Sequence, residues 1–245
     1  MGGLVLSESK FRKLTGFFFI LTPLWLFVNL KVLAAISDFP DSQFRGVDAL
    51  LRKVAESGVT GILVWYVDMV PGVLYIVSIV LFHRIMTREP WPRPWFGVAT
   101  TLGVCAWAIQ LIGLVRWIFV FPYLAKLWVN ATTDASKETI TIVFNAFSNF
   151  AGFALGQTVG IHLTAAWIFL VGIALLKSPM FKPWLGWLAI VTAIGEFIGN
   201  LGPLGSVIES IDIKTFFNIS GLFWYVSYAW MAYLGVIMMR SKAEV

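Results

Sequence analysis

Residues 95–125 read WFGVATTLGVCAWAIQLIGLVRWIFVFPYLA, a run of 31 residues in which Arg116 is the single charged side chain. A helix needs about 20 mostly apolar residues to cross the hydrocarbon core of a bilayer, where every backbone polar group must be satisfied internally. The run therefore predicts a membrane-spanning helix. Because 31 residues exceed the bilayer thickness, we expect this helix to tilt or to project beyond the outer face.

Five further stretches of the chain meet the same criterion of length and apolar character. The six predicted spans are residues 14–36, 59–83, 95–125, 149–176, 184–202 and 216–239. The connections between them are too short for a separate soluble domain. We therefore expect residues 1–245 to form one all-α integral membrane domain, a bundle of six transmembrane helices.

The composition agrees with this reading, since 59% of the residues are hydrophobic and 13% are charged. Ordinary soluble domains contain about 25% charged residues, so a water-soluble fold and a disordered chain are both excluded. The single cysteine, Cys105, excludes an intrachain disulfide and a cysteine metal cage. We predict no metal site and no cofactor, and we expect bound lipids.

The distribution of Lys and Arg predicts the orientation. Loops on one side of the spans carry ten basic and three acidic residues, a net charge of +7, whereas loops on the other side carry six basic and eight acidic residues, a net charge of −2. Short basic loops stay in the cytoplasm. We therefore expect both termini to be cytoplasmic and the basic side to bind anionic lipid headgroups rather than nucleic acid.

Two connecting segments have a recognisable character. Residues 89–95 hold three prolines and predict a stiff cytoplasmic connector. Residues 45–56 predict an amphipathic helix on the outer surface. Its apolar positions alternate at helical spacing with charged ones: Val47, Leu50, Leu51 and Val54 against Asp48, Arg52 and Lys53.

Four ionisable side chains lie inside the predicted spans, where a charge is costly: Lys31, Asp68, Arg116 and Glu196. Counted from the span ends at about 1.5 Å per residue, all four fall in the outer half of the membrane, roughly 8–14 Å deep. We predict that Arg116 pairs with both Asp68 and Glu196, and that Lys31 reaches outwards to the interface. Such a network is either purely structural or lines a polar cavity that opens outwards.

Three neutral or weakly ionisable side chains complete this predicted intramembrane polar network: Gln157, Asn200 and His162. Gln157 and Asn200 share the layer of the charges. His162 lies deeper, and a hydrogen bond to a neighbouring helix and a proton relay with Glu196 both remain open.

Small residues predict where helices approach closely, because burial of apolar surface cannot drive association within lipid. Glycines recur every fourth residue in two spans, at Gly152, Gly156 and Gly160 and at Gly195 and Gly199. We interpret them as packing positions within the bundle, with contact to another subunit as the alternative.

Three segments resemble a known family: 116–125 (RWIFVFPYLA), 154–160 (ALGQTVG) with Trp167 beyond it, and 178–188 (SPMFKPWLGWL). The family consists of small bacterial multi-pass inner-membrane proteins and is catalogued only as a domain of unknown function. The resemblance implies a six-helix bundle in the bacterial inner membrane, with Arg116 in a recurring motif. The family often carries Glu-His where this chain has Gln157-Thr158, so no ionisable role is carried over to these two positions.

The sequence contains none of the common catalytic motifs, neither His-Glu-x-x-His nor Gly-x-Ser-x-Gly nor a phosphate-binding loop, so we do not expect an enzyme. We expect a non-catalytic accessory or scaffold subunit of a larger inner-membrane complex, associated with other membrane subunits or with copies of itself. The alternative is a small-solute or proton-coupled transporter with an outward-facing polar site.

Overall fold

The computed structural model describes residues 7–88 and 93–241, and all regular structure within these two ranges is helical. The helices are α1 (Glu8–Ser37), α2 (Val47–Met86), α3 (Arg93–Val115), α4 (Phe121–Val129), α5 (Asp134–Phe147), α6 (His162–Lys177), α7 (Pro183–Gly199) and α8 (Ile213–Arg240). Two π-helical segments, Arg116–Val120 and Ser148–Ile161, join α3 to α4 and α5 to α6. Short 3-10 turns are formed by Asp41–Phe44 and Gly202–Ser206.

Six helical runs in these ranges are long and apolar enough to cross a membrane, which confirms the predicted class of fold: Glu8–Ser37, Val47–Met86, Trp95–Val129, Asp134–Lys177, Pro183–Ser206 and Ile213–Arg240. The predicted fourth span, residues 149–176, was too short. This helix begins at Asp134, 15 residues before the predicted start at 149, because α5 continues into the π-helical segment without a break. Its start is capped by the Thr133 hydroxyl oxygen, which accepts from the Ser136 N–H at 3.2 Å.

The six spans form a closed ring. Each span packs mainly against the spans that precede and follow it in sequence, and α1 packs against α8 to close the circle. At this closure a Cβ atom on Gly16 would lie 2.6 Å from the Gly235 carbonyl oxygen, so only glycine permits such close backbones. The contact also places the start of α1 and the end of α8 at the same end of the ring, termed here the terminal end.

The opposite end, termed the capped end, is covered by the first part of α2. Gly58 adopts φ 51° and ψ −140°, which breaks the helical course between the covering part and the membrane span. The predicted amphipathic segment is therefore helical, but it packs on protein, because Leu50, Leu51 and Val54 are buried in the core of the capped end. Asp48 and Arg52 on its other face are exposed.

Two apolar clusters fill the ring at its two ends. The terminal-end cluster is centred on Phe19 and Phe82, whose ring centroids are 4.9 Å apart. The capped-end cluster is centred on Trp65 and Trp117, whose rings stack at 4.3 Å, with Phe121 beside them. The space between the clusters, on the axis of the ring, contains the candidate site.

The predicted stiff connector, residues 89–95, includes residues 89–92, which lie outside the described residues. Before α8, the Asp212 carboxylate accepts from the Lys214 N–H at 3.0 Å and from the Thr215 hydroxyl at 2.5 Å. These hydrogen bonds, above all the one from Thr215, hold the pKa of Asp212 below its ordinary value of 3.8.

Candidate functional site

The centre of the ring contains a cavity of about 150 Å³. Its wall combines aromatic rings with polar and charged side chains, and every span contributes. One lining residue from each span, in order, is Leu30, Asp68, Arg116, Gln157, Glu196 and Tyr228. Phe39 and Gln43, from the connection between α1 and α2, also line it, so the cavity reaches towards the capped end.

Arg116 begins the first π-helical segment, and its side chain is only 8% exposed. Its Nη1 donates to the Gly113 carbonyl oxygen one turn earlier, and its guanidinium carbon lies 5.6 Å from the ring centroids of both Trp117 and Phe121. Its Nε is buried and has no hydrogen-bond acceptor in the described part of the chain. Arg116 is thus a buried cation held by one carbonyl group and two aromatic faces.

Glycines of the neighbouring span make room for this guanidinium. A Cβ atom on Gly152 would lie 2.8 Å from Arg116 Nη2 and 2.9 Å from its Cζ. Gly113 and Gly156 bring the two spans together, since a Cβ on Gly113 would lie 3.0 Å from the Gly156 Cα. The predicted packing glycines Gly152 and Gly156 therefore lie beside the charge, and both also line the cavity.

Glu196, on α7, is the most deeply buried charged group of the site, with 1% of its surface exposed. Its Oε2 has no hydrogen-bond partner within residues 7–88 and 93–241. The Ser227 hydroxyl lies beside the carboxyl group, and Tyr75 and Tyr228 lie close enough to interact with its charge. A carboxyl group in this position has far fewer partners than its oxygens can accept.

Asp68 differs from the other two charged groups because it has a defined partner. The Asn29 amide of α1 donates to its Oδ1 at 2.6 Å, and both residues are buried. Asn29 was not among the polar residues predicted from the sequence. It could have been identified as an amide side chain inside an apolar helix, which requires a partner within the bundle.

The predicted ion pairing of Arg116 with Asp68 and Glu196 does not form. No ion pair within 4.0 Å involves Arg116 among the described residues, although all three side chains line the same cavity. The depths counted from span ends were misleading because π-helical segments change the rise per residue and because the fifth span extends to Ser206.

Contacts between neighbouring spans show at which level of the fourth span Glu196 and Arg116 lie. His162 Nε2 lies 3.2 Å from the Phe197 carbonyl oxygen, so Glu196 lies near the level of His162, whereas the Arg116 guanidinium lies at the level of Gly152. Ten residues of the fourth span separate these levels, and because most of them lie in the π-helical segment Ser148–Ile161, the separation is less than the about 15 Å of an α-helix. The cavity therefore holds one cation and one carboxyl group at different depths, neither of which has an ion-pair partner among the described residues.

The remaining predicted polar residues have separate roles. Gln157 lines the cavity. His162 does not line it, and its ring packs on Phe197 at 4.4 Å. Asn200 joins α7 to α8 by donating to the Ser220 hydroxyl at 2.7 Å and to the Glu196 carbonyl oxygen at 2.9 Å. Lys31 is exposed and lies over the Phe27 ring, 5.4 Å from its centroid.

The other predicted packing glycines contact neighbouring spans of the same chain. Gly160 faces Gln110, where a Cβ would lie 2.6 Å from Cγ. A Cβ on Gly195 would lie 2.3 Å from the Phe223 ring, and a Cβ on Gly199 would lie 2.5 Å from the backbone nitrogen of Ser220. These glycines are thus used for packing within the chain.

Aromatic residues of the site were not singled out from the sequence. Tyr75 and Trp107 stack at 4.1 Å between ring centroids and line the deep part of the cavity. The Trp107 Nε1–H is buried without an acceptor in the part of the chain that the structure describes. In a chain with 12 Trp and 21 Phe residues, composition does not distinguish rings that line a cavity from rings that face lipid.

Taken together, the arrangement is suited to holding a small polar or charged molecule by electrostatic and cation–π contacts. No group of three or more His, Cys, Asp or Glu side chains that could hold a metal ion occurs in residues 7–88 and 93–241.

A closed ring of six helices, each long and apolar enough to span a membrane, defines a multi-pass membrane protein with a cavity at its centre. The chain belongs to the family described as domain of unknown function (DUF4386), which matches residues 14–239. No curated protein and no solved structure matches the chain.

Proposed function

We propose that this protein is a carrier that binds a small organic solute in the central cavity and moves it across the membrane. The observation that supports this proposal is that Arg116 and Glu196, two buried groups of opposite charge on the wall of one cavity, have no ion-pair partner in the described residues.

Placing these two charged side chains inside membrane-spanning helices costs free energy. On the insertion scale a charged residue at a helix centre costs about 2.5–3.5 kcal/mol, and a purely structural network would offset this cost by pairing. Arg116 and Glu196 lack such pairing in the described residues. A bound solute with complementary groups would supply the missing partners, which favours a binding function.

The architecture is also compatible with transport. The terminal-end and capped-end clusters lie on either side of the cavity along the ring axis. A carrier needs a central site and two closures that open in turn, and proline and glycine breaks give helices the freedom to move. Gly58 is such a break, and Pro23 in α1 and Pro71 in α2 each lack the N–H for one helical hydrogen bond.

Access of water to the cavity tests the proposal first. In a chain with Cys105 replaced by Ser, a Gln157→Cys variant places a thiol on the cavity wall, and Val191→Cys is the matched control on a lipid-facing position that is 56% exposed. A charged methanethiosulfonate reagent should modify the thiol at 157 and leave the thiol at 191 unmodified.

Flux completes the test. Proteoliposomes containing the full chain would be offered labelled organic acids, amines and zwitterions of fewer than ten non-hydrogen atoms. We expect at least one compound to enter faster than into protein-free vesicles, and an Arg116→Met variant to abolish that entry. An unreactive thiol at 157 together with the absence of any uptake would refute the carrier proposal.

We propose a non-catalytic accessory subunit of a larger membrane complex as the second candidate function. The packing glycines at 152, 156, 160, 195 and 199 contact spans of the same chain, so they do not indicate a partner. Copurification of further membrane subunits from native membranes, in stoichiometric amounts, would favour it over the carrier proposal.

A further inference from the structure

We infer that the solute is an elongated zwitterion, a molecule whose carboxylate and ammonium groups are separated by several bonds. This inference rests on the proposed function and specifies the substrate class of the same cavity. The supporting observation is that Arg116 and Glu196 lie at different levels of the same cavity wall.

Arg116 forms the anion-binding end. Of the five N–H groups of a guanidinium, one is used by the Gly113 carbonyl oxygen, and no carboxylate lies within 4.0 Å in the described residues. The guanidinium lies between glycine backbone and two aromatic faces, an environment of low dielectric in which a charged hydrogen bond to a carboxylate is strong.

Glu196 forms the cation-binding end. Its Oε2 is an unused acceptor and is 99% buried with the rest of the side chain, since 1% is exposed. Tyr75, Trp107 and Tyr228 line the cavity around this end. A carboxylate surrounded by aromatic faces is the chemistry that recognises an ammonium group.

Arg116 and Glu196 are too far apart for a compact zwitterion to contact both of them. Arg116 and Glu196 are not within ion-pair distance, and their levels differ by ten residues of the fourth span. An α-amino acid, with its charges two bonds apart, cannot contact both. The cavity volume of about 150 Å³ limits the solute to a small molecule, since an apolar cavity of that volume binds benzene.

A chain-length series tests this inference. The probes are glycine, 4-aminobutyrate, 6-aminohexanoate and 8-aminooctanoate, with hexanoate and hexylamine as partners that each lack one charge. Binding to the purified full chain in detergent is measured from the thermal midpoint as a function of probe concentration. We expect 6-aminohexanoate to bind at least about tenfold more tightly than hexanoate, hexylamine or glycine, equal to ~1.4 kcal/mol.

Two variants assign the ends. Arg116→Met should abolish the preference for 6-aminohexanoate over hexylamine, and Glu196→Gln should abolish its preference over hexanoate. If either variant fails to fold, the chain-length series in the unmodified protein decides alone.

Each failure has a distinct meaning. If hexanoate or hexylamine binds as tightly as 6-aminohexanoate, the zwitterion is wrong and the carrier proposal stands. If glycine binds best, the elongated geometry is wrong. If no probe binds, the zwitterion inference is refuted, and labelling at residue 157 with the flux panel then decides the carrier proposal independently.

Discussion

Removing the carboxyl group of Glu196 should make the solute-free protein more stable. The substitution Glu196→Met keeps the length and approximate volume of the side chain and removes a carboxyl group whose Oε2 has no partner in the described residues. A buried polar group without a partner costs about 1–3 kcal/mol, and that cost disappears in the variant.

The opposite sign is expected where the charge is paired. Asn29→Leu removes the amide that donates to Asp68 at 2.6 Å and leaves that carboxylate buried without its donor. A hydrogen bond to a charged group contributes about 1.5–3 kcal/mol, so this variant should be destabilised by that amount. The two substitutions concern two carboxyl groups that line the same cavity, Glu196 and Asp68, and are expected to have opposite effects on stability.

The assay is thermal unfolding of purified full-length variants in one detergent. For a chain of this size, 1 kcal/mol corresponds to about 2–4 °C, so Glu196→Met should raise the midpoint by about 2–12 °C and Asn29→Leu should lower it by about 3–12 °C. The lipid-facing control Val191→Met, at a position 56% exposed, should stay within about 0.5 kcal/mol of the unmodified chain.

A lowered midpoint for Glu196→Met, comparable with that of Asn29→Leu, would show that Glu196 is paired and structural. Glu196 would then be a structural group, and a binding function would have no free carboxyl group on the cavity wall. A raised midpoint together with loss of solute binding would be the trade-off between stability and function expected of a site that is strained when empty.

Three further predictions concern the fold. Gly16→Ala places a Cβ 2.6 Å from a facing carbonyl oxygen of α8 and should cost about 1–3 kcal/mol, whereas Gly221→Ala, where nothing lies within 4 Å, should not destabilise the protein; equal thermal midpoints would contradict the close packing of α1 on α8. Gly58→Ala should cost about 1–3 kcal/mol, because φ 51° with ψ −140° is accessible essentially to glycine alone, and a midpoint matching that of Gly221→Ala would argue against the helix break. Asp212→Ala should lower the midpoint at pH 7. Because the pKa of Asp212 is depressed in the folded chain, its stabilising effect is present above pH 3.8 and is lost as the pH falls further, so a pH titration in which the variant differs equally at all values would contradict the capping role.

Composition and hydrophobic run length were sufficient to predict an all-helical, six-span membrane protein. The reason is that lipid offers the backbone no hydrogen-bond partner, so a long apolar run has only one stable form. Arg116, Asp68 and Glu196 were identified for a related reason: a charge in an apolar run is conspicuous without any knowledge of its surroundings.

Helix ends were less predictable because polar residues can continue a helix beyond the membrane. The fourth span begins at Asp134, in a stretch whose polar residues obscured it, and a capping hydroxyl at Thr133 supplies its start. The amphipathic pattern of residues 45–56 correctly indicated a helix. It could not distinguish a lipid surface from a protein surface as the partner of Leu50 and Leu51.

Pairing between charges could not be obtained from depth along the chain. Arg116 and Glu196 line one cavity, but two π-helical segments and the packing of the spans place them at different levels. These features arise from contacts between spans, such as Gly113 against Gly156, and they are properties of the assembled ring. The linear order of residues thus accounts for which charges enter the membrane, whereas their separation, and with it the space for a solute, follows from side-chain packing among six helices.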